Sequence, residues 1–261
     1  MNTTAVIEHI TQWLTTYIED SPCKGFVVGV SGGIDSAVSS TLAARTGHPV
    51  LCVEMPIHQH ISQVSRAREH IEYLEATYPN VSSVEVELTD TYETFRKALP
   101  ALKEGQDEQM ALVNTRARVR MTTLYYFAAL HSALVVGTGN KVEDFGVGFY
   151  TKYGDGGVDL SPIADLVKTE VFALGAELGV NNAILQAAPT DGLWGDDRTD
   201  EDQIGASYPE LEWAMAFAGD ESGLSERQTE VLAIYRRLNR ANQHKMEPIP
   251  VCMIPDAVRG V

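Results

Sequence analysis

The sequence predicts an α/β protein built on a doubly wound, open parallel sheet with helices on both faces. Three observations carry this. Short apolar runs alternate with segments of helical period, in the order βαβαβαβ. Most of the runs are apolar throughout, as strands covered on both faces are. A glycine-rich turn follows the first run, and folds of this class place their ligand crevice at the C-terminal ends of the strands. Only four clear strands occur before the pattern changes, which makes a (β/α)8 barrel the weaker alternative.

Along the chain, Val6, Ile7, Ile10, Leu14, Tyr17 and Ile18 recur at helical spacing, so 3–18 reads as an amphipathic helix. GFVVGV (25–30) is the first buried strand. A helix follows from about Asp35 to Arg45, with Gly47 closing it. PVLCVEM (49–55) is the second strand and 62–78 a helix; VSSVEVEL (81–88) alternates and is the third strand. Helices over 91–99 and 108–132 lead to ALVVGT (133–138), the fourth strand. A Gly/Asp/Tyr-rich stretch, 139–166, lacks sustained periodicity, and long ordered loops of this kind are often functional. Helices are expected near 167–178, 208–218 and 225–243, with a second irregular segment at 188–206. The tail PIPVCMIPD should be extended. No repeat or linker interrupts the pattern, so residues 1–261 are read as one domain.

Composition narrows the function. Hydrophobic residues make up 44% and charged residues 21%, the balance of a globular protein. No apolar run reaches the ~18 residues of a membrane span, and MNTTAVIEHI lacks the pattern of a secretory signal. Cys23, Cys52 and Cys252 are odd in number and far apart, as expected of reduced packing thiols in a cytoplasmic protein. Twenty Lys+Arg against 36 Asp+Glu give a net charge of −16, the wrong sign for a general nucleic-acid binder. An anionic ligand would have to be met by local cations, backbone N–H groups or a metal.

The strongest motif is Gly29-Val30-Ser31-Gly32-Gly33-Ile34-Asp35-Ser36, between a strand and a helix. Glycines there let successive N–H groups turn inward, and the helix N-terminus adds positive partial charge, so this is a phosphate cradle without cations. Walker A is absent and GxGxxG is not matched. A carboxylate inside such a loop repels phosphate unless a cation stands between, so Asp35 is read as a Mg²⁺ ligand.

This octapeptide resembles the PP-loop of the N-type ATP pyrophosphatases, which adenylate a substrate and release pyrophosphate. Further motifs follow in the order seen in ammonia-dependent NAD⁺ synthetases: Asn114 to Met121 with Arg118, Gly137-Thr138, Glu143, Thr151-Lys152 to Asp159, Pro162, Lys168, Pro189-Thr190-Asp191 and His244-Lys245. The match spans about 25–250. One departure is that the Glu143–Lys152 stretch is a residue longer than in some members.

The resemblance implies an adenine nucleotide alpha hydrolase-like fold and ATP-dependent amidation of deamido-NAD⁺ with ammonia through an acyl-adenylate. It assigns loop 29–36, Thr138, Lys168 and Thr190 to ATP, and Arg118, Lys152, Asp159, His244 and Lys245 to the dinucleotide. Glu143 would join Asp35 on Mg²⁺, with Asp35 and Lys168 serving the chemistry. Arg118 lies two residues from both Arg116 and Arg120 and so points away from them on a helix; those two stay unassigned, as does the acidic run 196–202. Nearly the whole chain is used by the match, so no glutaminase domain is expected. The segments 144–160 and 188–206 are expected to order around ligands. The resemblance also implies a homodimer, and helix 108–132, apolar nearly all round, supports it. The alternatives are another PP-loop adenylating ligase, such as a tRNA-modifying ligase or the ATPase domain of a GMP synthetase, and a non-catalytic nucleotide sensor.

Overall fold

The computed structural model describes residues 1–103, 105–190 and 199–259. Four parallel strands form the sheet: β1 (Gly25–Gly29), β2 (Val50–Glu54), β3 (Val81–Glu85) and β4 (Ala133–Val136). Their order across the sheet is β3-β2-β1-β4. The chain winds outward from β1 through β2 to β3, then crosses to the other side of β1 as β4. That reversal is the switch point at which open α/β sheets leave a crevice. Register is continuous across the centre, with Phe26 opposite both Val50 and Leu134.

Helices cover both faces, as expected. On one face α1 (Thr3–Glu19), α2 (Ile34–Arg45), α3 (Ile61–Thr77) and α6 (Lys168–Glu177) share a core that includes Leu14, Phe26, Val38, Leu42, Leu74 and Leu174. On the other, α4 (Thr89–Ala98) and α5 (Gln109–His131) close over Val27, Val53, Tyr92 and Val135. A third apolar cluster sits beyond the sheet, where α9 (Tyr208–Ala216) and α10 (Glu226–Met246) pack on residues 142–147. The shorter α7 (Asn182–Leu185), α8 (Asp200–Ile204) and α11 (Asp256–Arg259) were not foreseen. No helix among the described residues is long and apolar enough to cross a membrane.

Three details differ from the sequence reading. The third strand ends at Glu85, three residues early, although the N–H groups of Val86 and Leu88 still bond the carbonyls of Glu54 and Pro56. The stretch 139–166 holds a turn of π-helix, Val142–Val147, and a short parallel bridge from Leu160 to Val136. Helix α5 buries only Val113, Ala117 and Ala128 fully, while Met110, Tyr126 and Leu130 are 56%, 63% and 61% exposed. The described chain therefore covers one side of this helix, not both.

Candidate active site

A cleft of about 290 Å³ opens at the switch point. Residues 29–36 form one wall, and Thr138, Glu143, Lys168 and Thr190 also line it. The loop is built by glycine. Gly32 takes φ +80°, and a Cβ there would fall 2.5 Å from the Gln63 carbonyl oxygen. Arg66 holds the far side of this turn, its Nε donating to the Gly32 carbonyl at 3.1 Å. The Ser31 and Ser36 hydroxyls lie 3.1 Å apart, and Ser36 Oγ donates to the Gly33 carbonyl at 3.0 Å. Gly33 caps α2 with no side chain to bond the helix N–H groups, so the first turn of α2 is left for a ligand to satisfy.

Beside this loop lies a buried charge cluster. Lys168 opens α6, yet its side chain is only 2% exposed. Its Nζ donates to Asp35 Oδ2 at 2.5 Å and to Glu143 Oε1 at 2.8 Å. Burial alone would strip this proton, but the two carboxylates outweigh it and hold the ammonium firmly charged. Glu143 is pushed up by burial and pulled down further by Lys168, and settles below the ordinary carboxylate range; Asp35 is left above it, because burial outweighs its share of the same ammonium. Asn140, fully buried, gives Nδ2 to Asp35 Oδ1 at 3.1 Å and accepts the N–H groups of Val142 and Glu143 at 3.1 Å each. It thus caps the π-turn and fixes Asp35 in one set of contacts. Asp35 and Glu143, far apart in sequence, meet here as expected. Two carboxylates at the rim of a phosphate-sized cleft fit Mg²⁺, which takes one or two of them together with phosphate oxygens and waters. Among the described residues no group of three or more His, Cys, Asp or Glu side chains could hold a metal.

The π-turn leaves backbone carbonyls that no regular ladder satisfies, and α10 satisfies them. Asn239 and Asn242 donate to the carbonyls of Gly146 and Val147, both at 2.8 Å. Lys245 Nζ reaches the carbonyls of Gly148 and Tyr150, also at 2.8 Å each. A turn of this kind recurs at functional sites.

The five residues assigned by resemblance to the dinucleotide do not line the cleft. Arg118 donates to the Lys152 carbonyl at 3.3 Å, and Lys152 Nζ to the His244 carbonyl, so these three lie together. Lys245 supports the π-turn. Asp159 accepts from the Val135 N–H at 2.8 Å and from the Tyr125 hydroxyl at 3.0 Å, which ties its loop to β4 and α5. The segment 144–160 is therefore tied by protein contacts to β4, α5 and α10. Arg118 does diverge from its neighbours: Arg116 lies over the Tyr92 ring at 5.2 Å, and Arg120 bonds the Met55 carbonyl at 2.9 Å and Gln59 Oε1 at 2.7 Å. Asp191 and residues 196–198 of the acidic run lie outside the described residues.

Sequence reasoning missed Asn140, Tyr208 and Arg120. The first had a signal, an Asn three residues ahead of Glu143 and able to cap the turn that carries it. Arg120 was visible only as one of three arginines. Tyr208 Oη donates to Glu143 Oε1 at 2.5 Å, and its position is set by Pro209 and the Ser207–Glu210 capping box, which say nothing of the cleft.

A loop of N–H donors at a switch point, facing an ammonium shared by two carboxylates, defines a nucleotide-handling α/β protein. The NAD synthase family model matches residues 6–248, and the chain belongs to that family. It is 35% identical to the NH3-dependent NAD⁺ synthetase of Carboxydothermus hydrogenoformans, over 91% of this chain and 93% of that one. It is 34% identical to that of Syntrophomonas wolfei over the full length of both. Among solved structures it resembles the NMN synthetase of Francisella tularensis (TM-score 0.84, 31% identity, 98% and 99% of the two chains). The NH3-dependent NAD synthetase of Campylobacter jejuni shares the fold (TM-score 0.77, 24% identity, 97% and 100% covered).

Proposed function

We propose that this protein is a ligase that amidates the nicotinate carboxylate of deamido-NAD⁺ with ammonia, converting ATP to AMP and pyrophosphate. The observation that carries this is the meeting, in one cleft, of loop 29–36 with Lys168 and Glu143, whose ammonium and carboxylate form one cluster with the loop's own Asp35. In the first step the carboxylate oxygen attacks the α-phosphorus of ATP in line and pyrophosphate leaves. The loop N–H groups and the Ser31 and Ser36 hydroxyls cradle the phosphates, and Thr138 and Thr190 border them. Lys168 carries positive charge toward the α-phosphate, where negative charge grows. Mg²⁺ held by Asp35 and Glu143 would neutralise charge on the departing pyrophosphate. In the second step ammonia attacks the acyl carbon, AMP leaves, and the nitrogen loses a proton. No nucleophilic side chain is required. Arg118, Lys152 and His244, grouped outside the cleft, are assigned to the dinucleotide, with Lys245 and Asp159 holding the loops that carry it.

We also infer a homodimer, supported by the exposed apolar residues on α5, and we read residues 1–261 as one synthetase domain. ATP use and three unpaired thiols support a cytoplasmic location. The test is to supply ATP, Mg²⁺, ammonium and deamido-NAD⁺, and to measure NAD⁺, AMP and pyrophosphate in equal amounts. Glutamine in place of ammonium should give none. The likeness to an NMN synthetase favours a second acceptor for the same chemistry, nicotinate mononucleotide, so both acceptors are compared by kcat/KM. ATP binding without turnover on either acceptor would refute the ligase and leave a sensor. Turnover on another carboxylate alone would move the chain to another adenylating ligase.

A further inference from the structure

Glu143 needs holding, because its own backbone is a single π-turn rather than a regular helix. Lys168, Tyr208 and Asn140 all reach its carboxylate, and two of them end on Oε1: Lys168 Nζ at 2.8 Å and Tyr208 Oη at 2.5 Å. They act differently. The ammonium neutralises as it binds, whereas a neutral phenol orients a carboxylate and leaves its charge in place for a cation. The phenol arrives from a rigid mount. Tyr208 is the first residue of α9, 4% exposed, packed in the apolar cluster with Leu211, Ala214 and Val231. The face of its ring lies 4.9 Å from Lys168 Nζ, so the same side chain also supports the ammonium.

The hydroxyl has a second neighbour. Asp200 Oδ2 lies 3.3 Å away, and the Asp200 N–H bonds the carbonyl of Pro189 at 3.0 Å. Pro189 directly precedes Thr190, which borders the cleft. Tyr208 therefore stands between the π-turn and the anchor of the segment that brings Thr190 to the phosphates.

We propose that Tyr208 is a positioning residue for the adenylation step: its hydroxyl sets the Glu143 carboxylate for the cation and joins it to the Asp200–Pro189 anchor. This rests on the reading of Glu143 as a cation ligand. The phenol itself touches no reacting atom.

Tyr208→Phe keeps the ring, the packing and the contact with the ammonium, and removes only the hydroxyl. Mn²⁺ is titrated into protein mixed with α,β-methylene-ATP, and free Mn²⁺ is read by electron paramagnetic resonance, which needs no turnover. Affinity should fall about 10-fold, the lower end for losing a partner that orients a metal ligand. The Mg²⁺ concentration for half-maximal amidation should rise similarly, while KM for deamido-NAD⁺ stays put and the melting temperature moves by no more than a few degrees. Mn²⁺ binding equal to wild type overturns the proposal, as does a loss accompanied by general destabilisation. The two readings separate cleanly. Weakened Mn²⁺ binding in the variant, with no NAD⁺ made by wild type, would keep the role of Tyr208 and sink the reaction. Normal Mn²⁺ binding in the variant, with NAD⁺ made by wild type, would do the reverse.

Discussion

Lys168→Met is the perturbation with the sharpest consequence. Methionine nearly matches the length of the lysine stem but leaves Asp35 and Glu143 facing one another without a counter-ion. Their nearest oxygens both touch the same Nζ, at 2.5 and 2.8 Å, so they are no more than about 5 Å apart. Two unit charges at that separation repel by about 3 kcal/mol at an effective dielectric of about 20. Loss of the ammonium itself brings the cost into the ~3–5 kcal/mol range for breaking a buried ion cluster. At roughly 2–4 °C per kcal/mol, melting should fall by about 10 °C.

The sign with pH follows. Without Lys168 the folded protein raises both carboxyl pKa values above their unfolded ones, so it binds more protons than the unfolded chain. The variant should therefore regain stability as the pH falls through those raised values. Thermal melts by circular dichroism between pH 5 and 8, with and without Mg²⁺, read this directly, and Mg²⁺ should restore part of the loss. A drop of under about 3 °C with no dependence on pH would refute the charge argument.

Three further outcomes are expected. Asp35→Asn should cut amidation at least ~100-fold, the scale for one charge-stabilising element, with melting within a few degrees because Glu143 still neutralises Lys168; a steady-state assay and a melt check both. His70 is 1% exposed with Nε2 3.0 Å from Ser40 Oγ, and burial lowers its pKa to about 4. The unfolded chain then binds the extra proton between about pH 6.5 and 4, so stability should fall by about 3 kcal/mol as the pH drops through that window; urea titrations should show this slope reduced in His70→Gln. Met110, Tyr126 and Leu130 should be covered in a dimer burying more than ~2,000 Å², so sedimentation at low micromolar concentration should give near twice 28.5 kDa, and Tyr126→Glu should shift it toward one chain; a fully active monomer would remove the dimer.

The strands were legible because burial on two faces leaves few residue types acceptable: Phe26, Val27 and Val28 sit in a row with no polar neighbour, and the structure buries all three. Loop 29–36 was legible because phosphate recognition by N–H groups is local and demands glycine. The Lys168 pairing was less so. Its partners lie 133 and 25 residues away, and nothing near Lys168 distinguishes a buried ammonium from a surface one at a helix start. The π-turn left no periodic signal, since a single wide turn is too short to establish one. What could be seen was an extra residue after Glu143. Tyr208 was hidden for a related reason: its helix position follows from Ser207, Pro209 and Glu210, whereas its function follows from which turn lies above it.

An acidic chain that handles polyphosphate has to solve its electrostatics at short range. At physiological ionic strength charges are screened over about 8 Å, so most of the −16 is not felt inside the cleft. Beside the loop stands the cluster, one ammonium against two carboxylates, which carries a net charge of −1 when all three are ionised. Alone it opposes phosphate; with a divalent cation bound it becomes net positive. The loop N–H groups contribute direction and positive partial charge without formal charge. On this reading the buried lysine does two jobs. It makes a pair of carboxylates tolerable in the folded protein before ligands arrive, and in the proposed reaction it would carry positive charge toward the α-phosphate while Asp35 and Glu143 would hold the metal. On the same proposal, a neutral phenol on Glu143 would orient the carboxylate and leave its charge for the metal, whereas a second cation there would compete with it.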